Sequence, residues 1–250
     1  MKTFSHLLFR YSCFVVISLL GFYGLECKAS ERHLWDEGWR FSLHQDDKPQ
    51  QSAFDDSAWR LLDLPHDWAI EGDFYAQNPS GANGGALPGG KGWYRKHLIL
   101  HDNDAASRYV LHFDGAYMNT SVFVNGTLVG TRPYGFISFS YDLTPYLDKQ
   151  GDNVIAVKVD NSQQPNSRWY TGCGIYRHVY LSKSTDIRVA EWGLHAISKV
   201  KKGIGNLTLN TQIENPSGRS RRVTVRQKLW NKAHQIVAQT SKTCQVGAPE

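Results

Sequence analysis

Apolar and polar positions alternate with period two along most of the chain, and the three-and-four spacing of an amphipathic helix is nearly absent. "RYVLHFDG" puts Tyr109, Leu111 and Phe113 on one side, and "ISFSYDLT" sets Ile137, Phe139 and Tyr141 against Ser138, Ser140 and Asp142. "NVIAVKVDN" and "GIYRHVYL" continue the series. "NTSVFVNGTLVGT" predicts a hairpin, because Asn125-Gly126 supplies the two positive φ angles of a type I′ turn between Ser121–Val124 and Thr127–Val129. Many short strands punctuated by Gly, Pro and Asn predict an antiparallel sandwich or jelly roll. Trp39, Trp59 and Trp68 are expected to fill the space between its two sheets.

The pattern changes near residue 183. "SKSTDIRVAEWGLHAISKV" reads as a lysine-rich connection, after which "GNLTLNTQIENPSG" places Leu207, Leu209, Thr211 and Ile213 on one face. "RRVTVRQKLWNKAHQIVAQ" reads as two strands joined around Asn231-Lys232. These predict the start of an immunoglobulin-like sandwich, a fold of about 100 residues. Three regions result: a leader at 1–29, a first sandwich at 30–183, and an incomplete immunoglobulin-like sandwich at 186–250.

The leader rests on Lys2 and Arg10, then the apolar run "CFVVISLLGF", then small residues near Ala29, which is the layout of a secretory signal. It implies export to the periplasm or beyond. Residues 1–29 carry Lys2, Arg10, Lys28 and Glu26, so without them the net charge falls from +5 to +3. That is too mild to argue for nucleic acid or an acidic membrane. Cys173 and Cys244 are the only cysteines past the leader, enough for one disulfide and too few for a framework.

Most signals of chemistry fail on inspection. "GGALPGGKG" spaces Gly85, Gly90 and Lys91 like a phosphate loop, but Gly92 stands where Ser or Thr would hold magnesium, and a strand-like run follows instead of a helix. No histidine has metal-ligand spacing, and no metal or other cofactor is implied. His66-Asp67 reads as a packed or capping pair. Asp114, Asp142 and Asp160 read as turn residues after strands, and no two carboxylates stand out as a glycosidase pair. One stretch is different. "PNSRWYTGCG" crowds Asn166, Ser167, Arg168, Trp169 and Tyr170 ahead of a strand, with Gly172 and Gly174 to turn the backbone. Arg168 can donate two parallel hydrogen bonds, Asn166 can donate and accept, and an aromatic ring can stack on the C–H face of a sugar. The same composition also suits a Trp169 that caps the core and an Arg168 paired with a carboxylate.

Taken in order, "LPHDWAIEGDF", "GWYRKHL", "FDGAYMNTSVFVNGTLVGTRPYGFISFSYDLTPYL", "DNVIAVKVDN" and "SRWYTGCGIYRHVYL" resemble the N-terminal sugar-binding jelly roll of glycoside hydrolase family 2, above all that of bacterial β-galactosidases. The resemblance runs from about Trp35 to Leu181 and continues more loosely into the immunoglobulin-like segment. It implies a retaining glycosidase whose acid/base and nucleophile glutamates sit in a downstream TIM barrel. A barrel takes about 250 residues, so this chain cannot hold one, and the family's Arg before His-Tyr-Pro is missing from it. No catalytic residue is therefore expected here. The resemblance places Ser167, Arg168 and Trp169 where members touch substrate, and a loop between Asp73 and Gly92 where an amide contributes, with Asn78 and Asn83 both eligible. Some members carry an acidic residue just before the matching tryptophan, where this chain has Arg168. The implied partners are a β-galactoside-like carbohydrate and the enzyme's own barrel, with room for a homo-oligomer. The alternative is a free-standing carbohydrate-binding module without chemistry.

Overall fold

The computed structural model describes residues 31–43, 48–101, 108–185 and 187–247. The expected leader lies outside them. The chain divides into two compact units between Lys183 and Ser184.

The first unit is a two-layer β-sandwich. One sheet has the order β1 (Glu31–Leu34), β10 (Val179–Ser184), β5 (Arg108–Phe113), β8 (Phe139–Asp142). The other has the order β3 (Arg60–Leu62), β2 (Trp39–Leu43), β4 (Gly90–Leu100), β9 (Gly151–Asn161), β6 (Thr120–Val124), β7 (Thr127–Arg132). The core lies between them. Leu111, Phe113, Val179 and Leu181 from the first sheet meet Trp39, Tyr94, Val122, Ile155 and Val157 from the second. The period-two pattern is thus the pattern of the two inner faces. Asn125 and Gly126 both have positive φ, as the predicted β6–β7 turn requires.

Three expectations need correction. Trp39 and Trp68 are in the core, but Trp59 packs with Trp93, Phe123 and Ala156 on the other face of the six-stranded sheet. The reason is Arg95, a fully buried cation on that face. It binds Asp56 at 2.7 Å and the carbonyls of Pro49, Gln51 and Phe54, and so draws the 49–59 segment across the sheet. The strand expected from "GIYRHVYL" begins only at Val179. Ahead of it, Gly174 exchanges both backbone bonds with Tyr117, and the Ile175 carbonyl accepts from the His66 amide, so those residues pair singly with separate partners.

The second unit contains the third correction. Its segment 188–201, read as a connection, is the long strand β11 (Arg188–Lys201), paired antiparallel with β12 (Ile204–Glu214). A register shift between Val189 and Leu194, with Trp192 at positive φ, breaks the alternation that would have revealed it. β13 (Arg221–Trp230) and β14 (Ile236–Val246) form a second hairpin, turned at Asn231 as the sequence predicts. Gln227 donates to the Thr211 hydroxyl at 2.7 Å and links the two hairpins.

Candidate functional site

The polar-aromatic stretch is a loop between β9 and β10, and it is braced at both ends. Asn161, buried at the end of β9, donates from its amide to the Gly172 carbonyl (3.2 Å) and the Cys173 sulfur (2.8 Å). Its Oδ1 accepts from Asn166 Nδ2 at 2.6 Å. Asn166 also donates to the Gln163 carbonyl, and its Oδ1 accepts from the Tyr117 hydroxyl at 3.1 Å. The Asn166 amide is thus spent on holding the loop, although the side chain is exposed.

The other end is held from "LPHDW". Trp68 N donates to the Cys173 carbonyl, which lays residues 66–68 alongside 173–175. Asp67 Oδ1 accepts from Cys173 N and Ala69 N, each at 3.0 Å, and Oδ2 accepts from the Tyr170 hydroxyl. Gly172 has φ +93°, so the tight turn around this carboxylate falls on a residue without a side chain to strain. His66 is buried beside it. Its Nε2 lies 2.7 Å from an Arg60 nitrogen and 3.3 Å from Glu71 Oε1, and its Nδ1 lies 2.8 Å from Tyr94 Oη. Burial, and after it the opposed fields of Glu71 and Arg60, leaves the imidazole below its ordinary value of 6.5. The pair is structural, as its packing reading requires. Cys173 and Cys244 are free thiols, and burial pushes that of Cys173 up to about 12.

Between these braces Ser167, Arg168 and Trp169 form an unsupported span. Trp169 is 64% exposed, so it does not cap the core. Arg168 is exposed and has no hydrogen-bond or ion-pair partner among the described residues. Ser167 accepts weakly from Trp169 N at 3.4 Å.

The second expected loop meets the first in a shallow cleft. Ser80, Gly84, Leu87 and Pro88 face Ser167, Trp169 and Tyr170 across it. Neither eligible amide lines this cleft. Asn78 donates to the Asp73 and Ala86 carbonyls and holds its own loop closed, whereas Asn83 is exposed with no side-chain partner among the described residues. Asp67, Asn161 and Tyr117, which hold the loop in place, are absent from the sequence reading of the site. Only the adjacency of Asp67 to a buried histidine and tryptophan marks it in the sequence. No cluster that could hold a metal ion occurs among the described residues.

Residues 33–185 match the family model described as "Glycosyl hydrolases family 2, sugar binding domain". Beta-galactosidase BoGH2A of Bacteroides ovatus is 52% identical over 211 residues, 84% of this chain and 25% of that protein. A putative beta-glucuronidase of Formosa agariphila is 40% identical over 170 residues, 68% of this chain and 16% of that protein. The crystal structure of a beta-glycosidase from Bacteroides vulgatus superposes with a TM-score of 0.79 at 38% identity, covering 86% of this chain and 28% of that one. The chain spans a quarter or less of the length of these curated relatives.

Proposed function

The chain belongs to glycoside hydrolase family 2, and on that footing we propose that it is the sugar-binding part of an exported, retaining β-galactosidase-like hydrolase whose 167–169 span helps line the sugar subsite. The observation that carries this reading is a contrast within one loop. Asn166, Tyr170 and Cys173 are tied down, while the adjacent Arg168 has no hydrogen-bond or ion-pair partner among the described residues and Trp169 stands in solvent. An open indole suits the apolar face of a sugar ring, and a guanidinium suits a hydroxyl or carboxylate in a fixed direction. The chemistry is assigned to a downstream barrel with an acid/base and a nucleophilic glutamate. Residues 1–29 direct export.

The exposed guanidinium, without an ion-pair partner among the described residues, supports a second reading, an acidic β-glycoside, and the relative named a putative beta-glucuronidase points the same way. The test is kcat/KM of the enzyme carrying this chain with its downstream domains, on β-galactosides, β-glucuronides and β-mannosides. Preference for β-galactosides is expected. Preference for β-glucuronides replaces the first reading with the second. Absence of turnover on all three would overturn both readings.

A further inference from the structure

We propose that Asp67 is a positioning residue for sugar recognition, a carboxylate that sets the geometry of the 167–169 span without itself touching the sugar. The proposal rests on the reading of that span as part of the sugar subsite. Its own basis is the way three donors converge on one side chain. The Cys173 and Ala69 amides share Oδ1, and the Tyr170 hydroxyl takes Oδ2. All three donors are neutral, and Asp67 has no ion-pair partner among the described residues. The carboxylate therefore acts as a multiple acceptor, which two oxygens with several lone pairs suit better than any neutral side chain.

Its position gives those bonds their consequence. Tyr170 adjoins Trp169 in sequence, so the bond to its hydroxyl fixes where the exposed indole and guanidinium start from. Asn166 holds the opposite end through Asn161 and Tyr117, while Asn161 also reaches Gly172 and Cys173. Without Asp67, Gly172 and Cys173 would keep their bonds to Asn161 and Trp68, but Tyr170, the residue next to the span, would lose its hold. A binding group displaced by about an ångström loses much of its effect on the reaction. Hydrogen bonds to a charged group are stronger than neutral ones, so the 170–173 turn should depend on this carboxylate more than on any single amide.

The experiment has two parts. In the 250-residue chain, Asp67→Ala should raise the rate at which a thiol reagent modifies Cys173 by at least about tenfold under native conditions, since its amide and the turn that covers it are released. Cys244 serves as the internal control. In the enzyme joined to its downstream domains, Asp67→Ala should lower kcat/KM by about tenfold with most of the loss in KM, and Asp67→Asn should recover part of it. Tyr170→Phe removes the Oδ2 contact alone and keeps the test open if Asp67→Ala does not fold. It should reproduce the direction of the effect with an unchanged denaturation midpoint. Normal kinetics in both Asp67→Ala and Tyr170→Phe, beside impaired Arg168→Ala, would overturn the positioning role and leave the loop reading intact. Normal kinetics in all three would remove the loop reading and the proposal with it.

Discussion

Arg168 and Trp169 are neighbours whose substitution should separate recognition from folding. Neither side chain fills the core, so truncating either opens no cavity. Arg168→Ala in the enzyme with its downstream domains should lower kcat/KM by roughly ten- to a hundred-fold, the worth of one hydrogen bond involving a charged group. The denaturant midpoint should stay where it is. Trp169→Ala should likewise change stability by no more than about 0.5 kcal/mol, as at other surface positions, and weaken sugar binding instead. A lowered midpoint with unaltered kinetics would make the span a structural turn.

At the scale of elements, the buried Arg95 on β4 organises more of the first unit than its single position suggests. Its ion pair with Asp56 is closed to water on both sides, and its remaining donors satisfy carbonyls of the 49–54 segment. Arg95→Ala would leave Asp56 with the 3.6 Å contact to Arg40 and the 3.9 Å contact to His97, and release that segment from the sheet. A loss of about 3–5 kcal/mol is expected in chemical denaturation. A loss under about 1 kcal/mol would mean that the segment is held by Phe54 and Trp59 instead.

The edge strand β3 carries a pH dependence through the same physics. Arg60 and the His66 ring meet at its end, and burial holds the folded imidazole below 6.5. As pH falls through 6.5 the unfolded chain takes up a proton that the folded ring declines, so stability is complete above that pH and declines below it. The denaturation midpoint should therefore drop between about pH 7.5 and 5.5, and His66→Gln should flatten that drop. An equally steep drop in the variant would assign the effect to another group.

For the whole molecule, the contrast is between the units. The first buries a continuous core of aromatic and branched side chains. The second leaves Trp192 77% exposed, with Val200, Ile204, Val237 and Trp230 also open to solvent. With so little apolar surface buried, it should be the less stable unit. Limited proteolysis is expected to trim the chain back toward residue 185 while the first unit resists; equal protection of both would refute this. The 250-residue chain by itself is expected to hydrolyse no β-galactoside, β-glucuronide or β-mannoside. Turnover that copurifies with it and survives removal of host glycosidases would contradict the assignment of chemistry to a downstream barrel.

Local information in the sequence determined the strand-rich class, the β6–β7 hairpin, the turn at Asn231 and the polar-aromatic stretch at 166–170, because alternation and turn chemistry act between near neighbours. It also carried the family resemblance in the order of its motifs. The strand β11 escaped because a bulge destroys alternation, and Trp59 was misplaced because a buried Arg95 redirected its segment. Tertiary structure alone decided the state of each residue in the loop. The sequence presents Asn166, Arg168 and Trp169 as equals, yet Asn161 and Tyr117 engage the first, while among the described residues the Arg168 side chain has no hydrogen-bond or ion-pair partner and the Trp169 ring is 64% exposed. Asp67 lies about a hundred residues before Tyr170 and Cys173, two of the three donors it gathers. Which polar side chains are spent on the fold and which remain for a ligand depends on contacts between distant segments, and those form only when the sandwich closes.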